Sequence, residues 1–212
     1  MTDGPDRELV ARAEGQCDRK AGTHAVTNEI AAAAEIRPIG PDDLAEVRSL
    51  QASSFRVLAS QTFTEEEVAA YSDHIYSMAY TEALSEAIRR GQLFGAWFDG
   101  QLVATAGWTA GDGSVSAARI RWVHVRPMFT GVGLGTRLVE VAEAAARKAG
   151  FDVLSVEATL NAAEFFQGLG YETSSHGVRS LPLGQNLPVA YMRKQLSRRP
   201  PQLVSASGDT TD

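Results

Sequence analysis

In the first part of the chain, the apolar residues follow strand spacing and then helix spacing. The segment EIRPI predicts a short strand, and GPDD after it begins a helix with Pro41 in its first turn. The apolar side of that helix consists of Leu44, Val47, Leu50, Phe55 and Leu58. Thr64 and Glu67 form a T-x-x-E capping box for a second helix, and a third is predicted from about Asp73 to Arg90.

The second part of the chain consists mainly of strand patterns. Asp99-Gly100 predicts a hairpin turn within LFGAWFDGQLVATAGWT. A strand ARIRWVHVRP, a helix ending at Lys148 and a strand DVLSVEA form a unit that requires a parallel strand pair. A short helix, NAAEFFQGL, and two closing strands, YETSSHGVR and LPVAYMRKQL, follow. This order predicts one domain of the α+β (mixed α/β) class.

The two ends of the chain differ in composition from this domain. Residues 1–34 are polar and Ala-rich with almost no large apolar side chains, and residues 197–212 are rich in Pro, Ser and Gly. Both segments are predicted to be disordered tails. A single domain is therefore expected over residues 35–196 of the 212.

Charge and composition exclude several classes of protein. A net charge of −6 without a basic cluster argues against nucleic acid or an anionic membrane as a partner. Cys17 is the single cysteine and the four histidines lie far apart, so neither an internal disulfide nor a metal site is expected. Neither a secretory signal nor a bilayer-spanning apolar run is evident, and the expectation is a soluble cytoplasmic protein.

Three glycines, Gly131, Gly133 and Gly135, lie where a strand gives way to a helix. Glycine is a poor helix former, so its repeated use there needs a separate reason. A helix N-terminus carries unpaired N–H groups and a positive dipole end, and glycine lets an anion approach that backbone closely. A tight turn is the alternative, but three glycines in five residues favour a phosphate-binding loop.

Neighbouring residues narrow the type of phosphate ligand. Thr136 occupies the third glycine place of a dinucleotide-binding G-x-G-x-x-G fingerprint, and no lysine follows as a P-loop requires. Val125-Arg126-Pro127 with TGVGLG, and later TLNAAEFFQGLGYE, resemble the two cofactor segments of the GNAT N-acetyltransferase superfamily. The matching residues of the later segment are Asn161, Ala162, Phe165, Leu169, Gly170 and Tyr171. The resemblance covers about residues 35–196.

This resemblance implies a fold and a donor substrate. The fold would be a mostly antiparallel sheet with helices on both faces and one parallel pair, WVHV and LSVEA, splayed to admit acetyl-CoA. The amides of Val123 and Val125 would pair with the pantetheine arm, and Asn161 would hydrogen-bond that arm or orient its loop. The other implied cofactor-binding residues are Thr130, Gly131, Val132, Gly133, Leu134, Gly135, Thr136 and Phe166. No metal is implied.

Two positions depart from the family's pattern. Thr130 stands where the family has Gln or Arg, which removes one long donor near the phosphates. Phe166 stands where a tyrosine is often proposed to protonate the leaving thiolate. Because a phenyl ring has no proton to give, water or another group such as Tyr191 would have to supply it.

The catalytic base is open between Glu157 and His124. An alkylamine is mostly protonated at pH 7, so some group must accept its proton. The strand that often carries a glutamate in the family carries Arg119 and Arg121 here. Glu157 on the adjacent parallel strand could serve in the cleft or pair with Arg121. Strand alternation directs His124 away from its valine neighbours, where it could instead pack under the N-terminal helices.

The acceptor pocket is expected from the first helices and from the turn SLPLGQNL. The stretch AYSDHIYSMAY contains Tyr71, Asp73, His74, Tyr76 and Tyr80. These residues fit either a polar-aromatic lid over the acceptor or, in the interpretation we favour here, the half-buried side of an amphipathic helix.

Three functions are consistent with the sequence. The leading one is acetyl-CoA-dependent N-acetylation of a primary amine on a small molecule or a protein. A CoA-binding sensor or interaction module without catalysis is the alternative that Phe166 and Thr130 favour. A nucleotide-dependent oxidoreductase is the third, and a preference for NAD(P) over CoA would distinguish it. The strand edges could also pair with a second copy to give a homodimer.

Overall fold

A seven-stranded sheet forms the centre of the described structure. The computed structural model describes residues 31–111, 117–181 and 184–196. The strands are β1 (Glu35–Pro38), β2 (Leu93–Phe98), β3 (Gln101–Ala110), β4 (Ala117–Val125), β5 (Val153–Thr159), β6 (Glu172–Ser180) and β7 (Asn186–Gln195). Their order is β1-β2-β3-β4-β5-β7-β6, with β4 and β5 parallel and the other neighbours antiparallel. The predicted mixed class, with one parallel pair in a mostly antiparallel sheet, is confirmed.

Helices cover both faces of this sheet. The α-helices are α1 (Leu44–Leu58), α2 (Glu65–Ile75), α3 (Met78–Arg89), α4 (Leu134–Lys148) and α5 (Ala163–Gly168). Short 3-10 turns cover Pro41–Asp43, Pro127–Phe129 and Leu160–Ala162. In the part of the chain that the structure describes, no helix is long and apolar enough to cross a membrane.

The sheet separates two hydrophobic cores. On one face, α4 and α5 pack on the sheet, and Leu138 and Leu154 are fully buried there. On the other face, α1, α2 and α3 do the same, with Leu50, Leu84 and Leu102 fully buried. Each such side chain contributes about 1.5–3 kcal/mol when it leaves water. The two cores explain why helices lie on both faces, as the resemblance implied.

The helix predicted from Asp73 to Arg90 begins later than expected, because residues 73–75 are the end of the preceding helix. The helix α2 ends before Tyr76, and α3 begins after Ser77. The Ser77 hydroxyl accepts a hydrogen bond from the backbone N–H of Tyr80 at 3.3 Å. This N-cap contact satisfies one of the unpaired N–H groups of a new helix, which makes a break at this point favourable.

Two other local predictions are confirmed. The Glu67 carboxylate accepts from the backbone N–H of Thr64 at 2.8 Å, and the Thr64 hydroxyl accepts from the N–H of Glu67 at 3.3 Å. Asp99 and Gly100 take positive φ angles of 50° and 73°, as a two-residue hairpin turn between β2 and β3 requires.

The packed structure begins before the domain boundary that the sequence indicated. Residues 31–33 are helical, and Ala31 and Ala34 are buried in the core formed with α4. These residues therefore belong with the domain and not with the tail expected over 1–34. The rest of that predicted tail, and the one predicted over 197–212, lie outside the described residues.

The parallel strand pair separates towards the end that leads into the glycines. The paired register ends with Ile120 opposite Val156, although β4 continues to Val125 and β5 to Thr159. The splay implied by the resemblance is therefore present. It exposes the two facing strand edges to whatever enters between them.

A bulge in β4 lies at the start of this splay. Trp122 and Val123 together occupy the register place opposite Ala106, and Trp122 has a positive φ of 57°. That backbone conformation is strained for a bulky residue. The Thr105 hydroxyl donates to the Trp122 carbonyl at 2.8 Å and accepts from the Gln51 amide at 3.5 Å, so β3 and α1 hold the bulge in place.

Candidate active site

The splay opens into a cleft of about 730 Å³. Its lining includes residues 119–125 of β4, residues 156–159 of β5, and most of residues 129–136 that precede and begin α4. Side chains from α1, α2 and α3 and from the end of β6 complete it. The volume is typical of small-molecule sites, which lie in the range of about 300–1,000 Å³.

Residues 130–136, which we call the glycine loop, form one end of the cleft. Gly131 and Gly133 have positive φ angles of 77° and 85°, and Gly133 is the N-cap of α4. No atom lies within 4 Å of a Cβ placed on either glycine. Their side-chain directions are thus open, and the first N–H groups of α4 are available to an anion.

The other residues of the loop have different roles. A Cβ on Gly135 would meet Phe165 and Val125 at 3.4 Å, which is ordinary van der Waals contact, and Gly135 also lines the cleft. Val132 is buried and Leu134 fully so, which anchors the loop in the core beside α4.

Thr130 and Thr136 also line the cleft. The Thr130 hydroxyl donates to the carbonyl of Pro127 at 2.8 Å. That bond stabilises the turn before the loop and directs this donor away from any bound phosphate.

His124 lines the cleft together with Val123 and Val125. Strand alternation predicted His124 on the face opposite these valines, and residues from both faces of the splayed β4 line the cleft, so that orientation does not exclude it from the site. Burial, and then the positive charge of Arg179, lower the pKa of His124 to about 4. The imidazole is therefore neutral at pH 7.

Glu157 lines the cleft, but its partner is not the residue that the sequence suggested. Its carboxylate accepts from Nε of Arg179 at 2.7 Å, whereas Arg121 was the predicted partner. Arg179 also lies 3.5 Å from the Tyr71 hydroxyl. Burial opposes the charge of Arg179, but Tyr71 and Glu157 outweigh it, so the pKa of Arg179 is raised.

The sequence did not single out Arg179. It lies on the edge strand β6, beyond β7, and its side chain reaches Glu157 on β5. An arginine in a polar strand is by itself an ordinary surface residue, so the only signal was the length of the closing hairpin.

Tyr191 is not brought to the cleft. It is the register partner of Glu157 on β7, but its ring lies beside Gly177, where an added Cβ would meet it at 2.7 Å. The side chain is exposed and is absent from the described lining of the cleft. Its predicted role as a proton donor therefore has no support from the geometry.

Asn161 and Phe166 both line the cleft. The Asn161 amide donates to the carbonyl of Leu58 at 3.4 Å, which ties the second cofactor segment to the end of α1. Phe166 is only 3% exposed and packs edge-on against Phe165 and Tyr171. It contributes a wall to the cleft and no proton.

Tyr71, His74 and Tyr80 also line the cleft, which fits the lid interpretation. Tyr71 and Tyr80 are at the same time buried in the core beside α1, α2 and α3, as the favoured amphipathic-helix interpretation expects. Burial, followed by Arg179 and Arg121, lowers the pKa of His74. Tyr80 donates to the Gln51 side chain at 2.8 Å, and burial raises the pKa of Tyr80 well above its ordinary value. Both groups are uncharged at neutral pH.

Positive charge predominates in the described lining of the cleft. Arg119, Arg121 and Arg179 contribute guanidinium groups, and Glu157 is the one acidic residue among the lining residues. Among the described residues no group of His, Cys, Asp or Glu side chains is placed to hold a metal ion.

Comparisons with known proteins follow the same line. Residues 44–171 match the model of the acetyltransferase (GNAT) family. A GCN5-related N-acetyltransferase described as aminotransferase, class-II, from Rhodopseudomonas palustris is 29% identical, with 77% of this chain and 96% of that chain covered and a TM-score of 0.63. No curated protein sequence matches this chain significantly.

Two further structures share the fold. PaiA N-acetyltransferase from Thermoplasma acidophilum, solved in complex with coenzyme A, is 19% identical over 76% of this chain and 98% of that one, with a TM-score of 0.57. The yncA protein of Salmonella typhimurium, solved with its cofactor acetyl-CoA, is 19% identical over 78% and 95%, with a TM-score of 0.56. Since the family model spans more than half of the chain, this protein belongs to the GNAT acetyltransferase family.

Proposed function

We propose that this protein is an acetyl-CoA-dependent N-acetyltransferase that acetylates a primary amine of a small molecule. The observation that carries the proposal is the splay of β4 and β5 next to an open glycine loop, within one cleft. Relatives with the same fold bind CoA or acetyl-CoA, which supports the choice of donor.

The residues present fit this donor. Acetyl-CoA would supply the activated acetyl thioester. The N–H groups at the start of α4, beyond Gly131 and Gly133, would hold its pyrophosphate, because both glycines leave the approach open. The amides of Val123 and Val125, on the splayed part of β4, would hold the pantetheine arm and the thioester carbonyl.

Direct proton transfer to His124 is a poor route for activating the amine. Moving a proton from an ammonium with a pKa of about 10 to an imidazole with a pKa of about 4 costs about 8 kcal/mol. The Glu157 carboxylate already accepts a hydrogen bond from Arg179, so one of its oxygens is engaged and not free to contact the amine.

We infer instead that the cleft lowers the pKa of the bound amine. Burial, and after it the charge of Arg179, lowers the pKa of both His74 and His124, and an ammonium held in the same cleft would experience the same two effects. The amine would then lose its proton to water before the reaction. The same positive field would favour the negative charge that develops on the leaving sulfur, so the lack of a hydroxyl at Phe166 is tolerable.

The experiment is thermal unfolding with CoA, acetyl-CoA and NAD, followed by an assay of thiol release with amines. A ligand that binds the folded state raises the midpoint. We expect both CoA forms to raise it and NAD to have no effect. Absence of a shift at saturating CoA would refute the donor assignment.

A matched pair of variants localises the binding. Gly133→Ala strains a residue with φ of 85° and adds a methyl group to the loop, whereas Gly91→Ala imposes similar strain at a φ of 65° away from the cleft. Each should lose about 1–2 kcal/mol of stability. Only Gly133→Ala should lose the shift with CoA, and an equal shift in both variants would contradict the proposed site.

Binding of CoA without catalysis is the second candidate. The observation that favours it is Phe166, which is buried at the place where the family often has a tyrosine. A shift with CoA but no thiol release above the rate without protein, across a broad set of amines, would select this alternative.

A further inference from the structure

The wall of the cleft opposite the glycine loop contains one arginine without a partner. Arg179 is paired with Glu157, and Arg119 also has a partner. Arg121 lines the cleft half-buried and lies over the ring of its neighbour Trp122, 4.7 Å from the centroid. Within the described residues its guanidinium forms no ion pair and no hydrogen bond.

Two more polar groups in the lining of the cleft lack hydrogen-bond partners. The Ser54 hydroxyl and the indole N–H of Trp122 are buried and make no hydrogen bond within the described structure. Both residues line the cleft. Unpaired buried polar groups cost free energy and are rare in folded proteins, so two of them in the lining of the cleft, one on the residue next to Arg121, indicate that a ligand makes the missing contacts there.

The energetics of Arg121 indicate the charge of that ligand. Burial, and then the like charges of Arg179 and Arg119, lower the pKa of Arg121. The folded protein therefore holds this cation at a cost. An anionic group placed against it would offset that cost, and a planar guanidinium matches a carboxylate with two parallel hydrogen bonds.

The position of Arg121 separates this group from the phosphates of the donor. Arg121 precedes Val123 by two residues and lies on the side of the splay away from the glycine loop. An anion bound there would be close to the acetyl group and far from the pyrophosphate. It therefore belongs to the acceptor, and its carboxylate and amine must be a few bonds apart.

We propose that the acceptor is a small amine that carries a carboxylate, such as an amino acid, and that Arg121 binds this carboxylate. The inference rests on the proposed function. It restricts the acceptor from any primary amine to an amine that also carries a carboxylate. The acceptor carboxylate would neutralise Arg121 and leave Arg179 to act on the amine.

The test compares matched acceptors at saturating acetyl-CoA. Each amino acid is assayed as the free carboxylate and as its carboxamide, with simple alkylamines as acid-free acceptors, and thiol release is measured. A charge-assisted bidentate contact predicts a preference in kcat/KM of about 10- to 100-fold for at least one carboxylate over its amide. Thermal unfolding of the CoA complex with the same compounds gives a readout of acceptor binding without turnover.

Two variants assign the preference to one side chain. Arg121→Gln should raise KM for the acid and abolish the preference, while the shift of the midpoint with CoA is unchanged. Since burial and like charges disfavour the cation of Arg121 more than Tyr80 and Glu157 favour it, its removal should leave the midpoint without ligands equal to or above that of the wild type. Arg147→Gln, at the exposed end of α4, is the control and should keep the preference.

Several outcomes would overturn the inference. They are equal activity on acids and amides, better activity on acid-free amines, a preference that survives Arg121→Gln, and loss of the CoA shift in that variant. If CoA shifts the midpoint but no acid is acetylated or bound, that result also overturns the inference. Acetylation of acid-free amines alone would leave the proposed function intact, whereas the absence of a CoA shift would remove that function itself.

Discussion

Lowering the pH from 7 towards 4 should destabilise the fold through His124. Burial and the charge of Arg179 hold the pKa of this imidazole at about 4, against 6.5 in the unfolded chain. The unfolded state therefore binds a proton first as the pH falls. The stability that depends on neutral His124 is complete above pH 6.5 and is lost as the pH falls towards 4.

The size of this effect follows from the two pKa values. The difference corresponds to about 3 kcal/mol when the titration is complete. Between pH 7 and pH 4.5 about 2 kcal/mol of this should be lost, because the folded state begins to protonate near the lower value.

Urea unfolding at pH 7 and pH 4.5 measures the loss. Other groups titrate in the same range, so the quantity of interest is the difference between the wild type and His124→Gln. The wild type should lose about 2 kcal/mol more than this variant. His176→Gln, on the exposed strand β6, is the matched control and should behave as the wild type.

A result within about 0.5 kcal/mol for the wild type and His124→Gln would refute the reasoning. It would mean that His124 accepts a proton in the folded cleft as easily as in water. In that case the argument that the cleft repels protons from a bound amine would also lose its main support.

Three further predictions concern individual side-chain contacts in the structure. Thr105→Val removes the donor to the Trp122 carbonyl, and should cost about 1–3 kcal/mol in urea unfolding and raise the CoA concentration needed for half the thermal shift. Lys194→Met leaves the buried Glu143 without the cation 2.8 Å away, and should cost about 3–5 kcal/mol in urea unfolding. Tyr191→Phe should leave kcat unchanged in the thiol-release assay, and a tenfold loss would restore its candidacy as a proton donor.

The glycine loop at one end of the cleft could be predicted well, because its conformation depends on residues that are adjacent in the sequence. A positive φ at Gly131 and Gly133, and the N–H groups that follow, depend on neighbouring residues alone. The parallel pair was also predictable, since a strand, a helix and another strand in succession permit few other arrangements. The third glycine, Gly135, has neither a positive φ nor a contact that would exclude a side chain, so its role at the phosphate stays a prediction.

The contacts of Glu157, Arg179 and Trp122 in the cleft could not be predicted, because they join distant parts of the chain. The ion pair of Glu157 with Arg179 depends on the insertion of β7 beside β5, and strand order is not encoded in periodicity. The positive φ of Trp122 arises from a bulge that only the register with β3 reveals. Ser77 was a visible signal for a helix start, but a continuous apolar pattern hid it.

The division of the interior by the sheet has an evolutionary consequence. The glycine loop, which would hold the donor, is anchored in the core beside α4. Tyr71 and Tyr80 line the part of the cleft where the acceptor would bind, and they belong to the core beside α1, α2 and α3. Substitutions that reshape one core have few direct contacts with the other. Selection or directed mutagenesis can therefore change α2, α3 and their neighbours, and with them the acceptor, while the glycine loop keeps its geometry. The sheet thus separates the residues that would hold acetyl-CoA from those that would determine acceptor specificity.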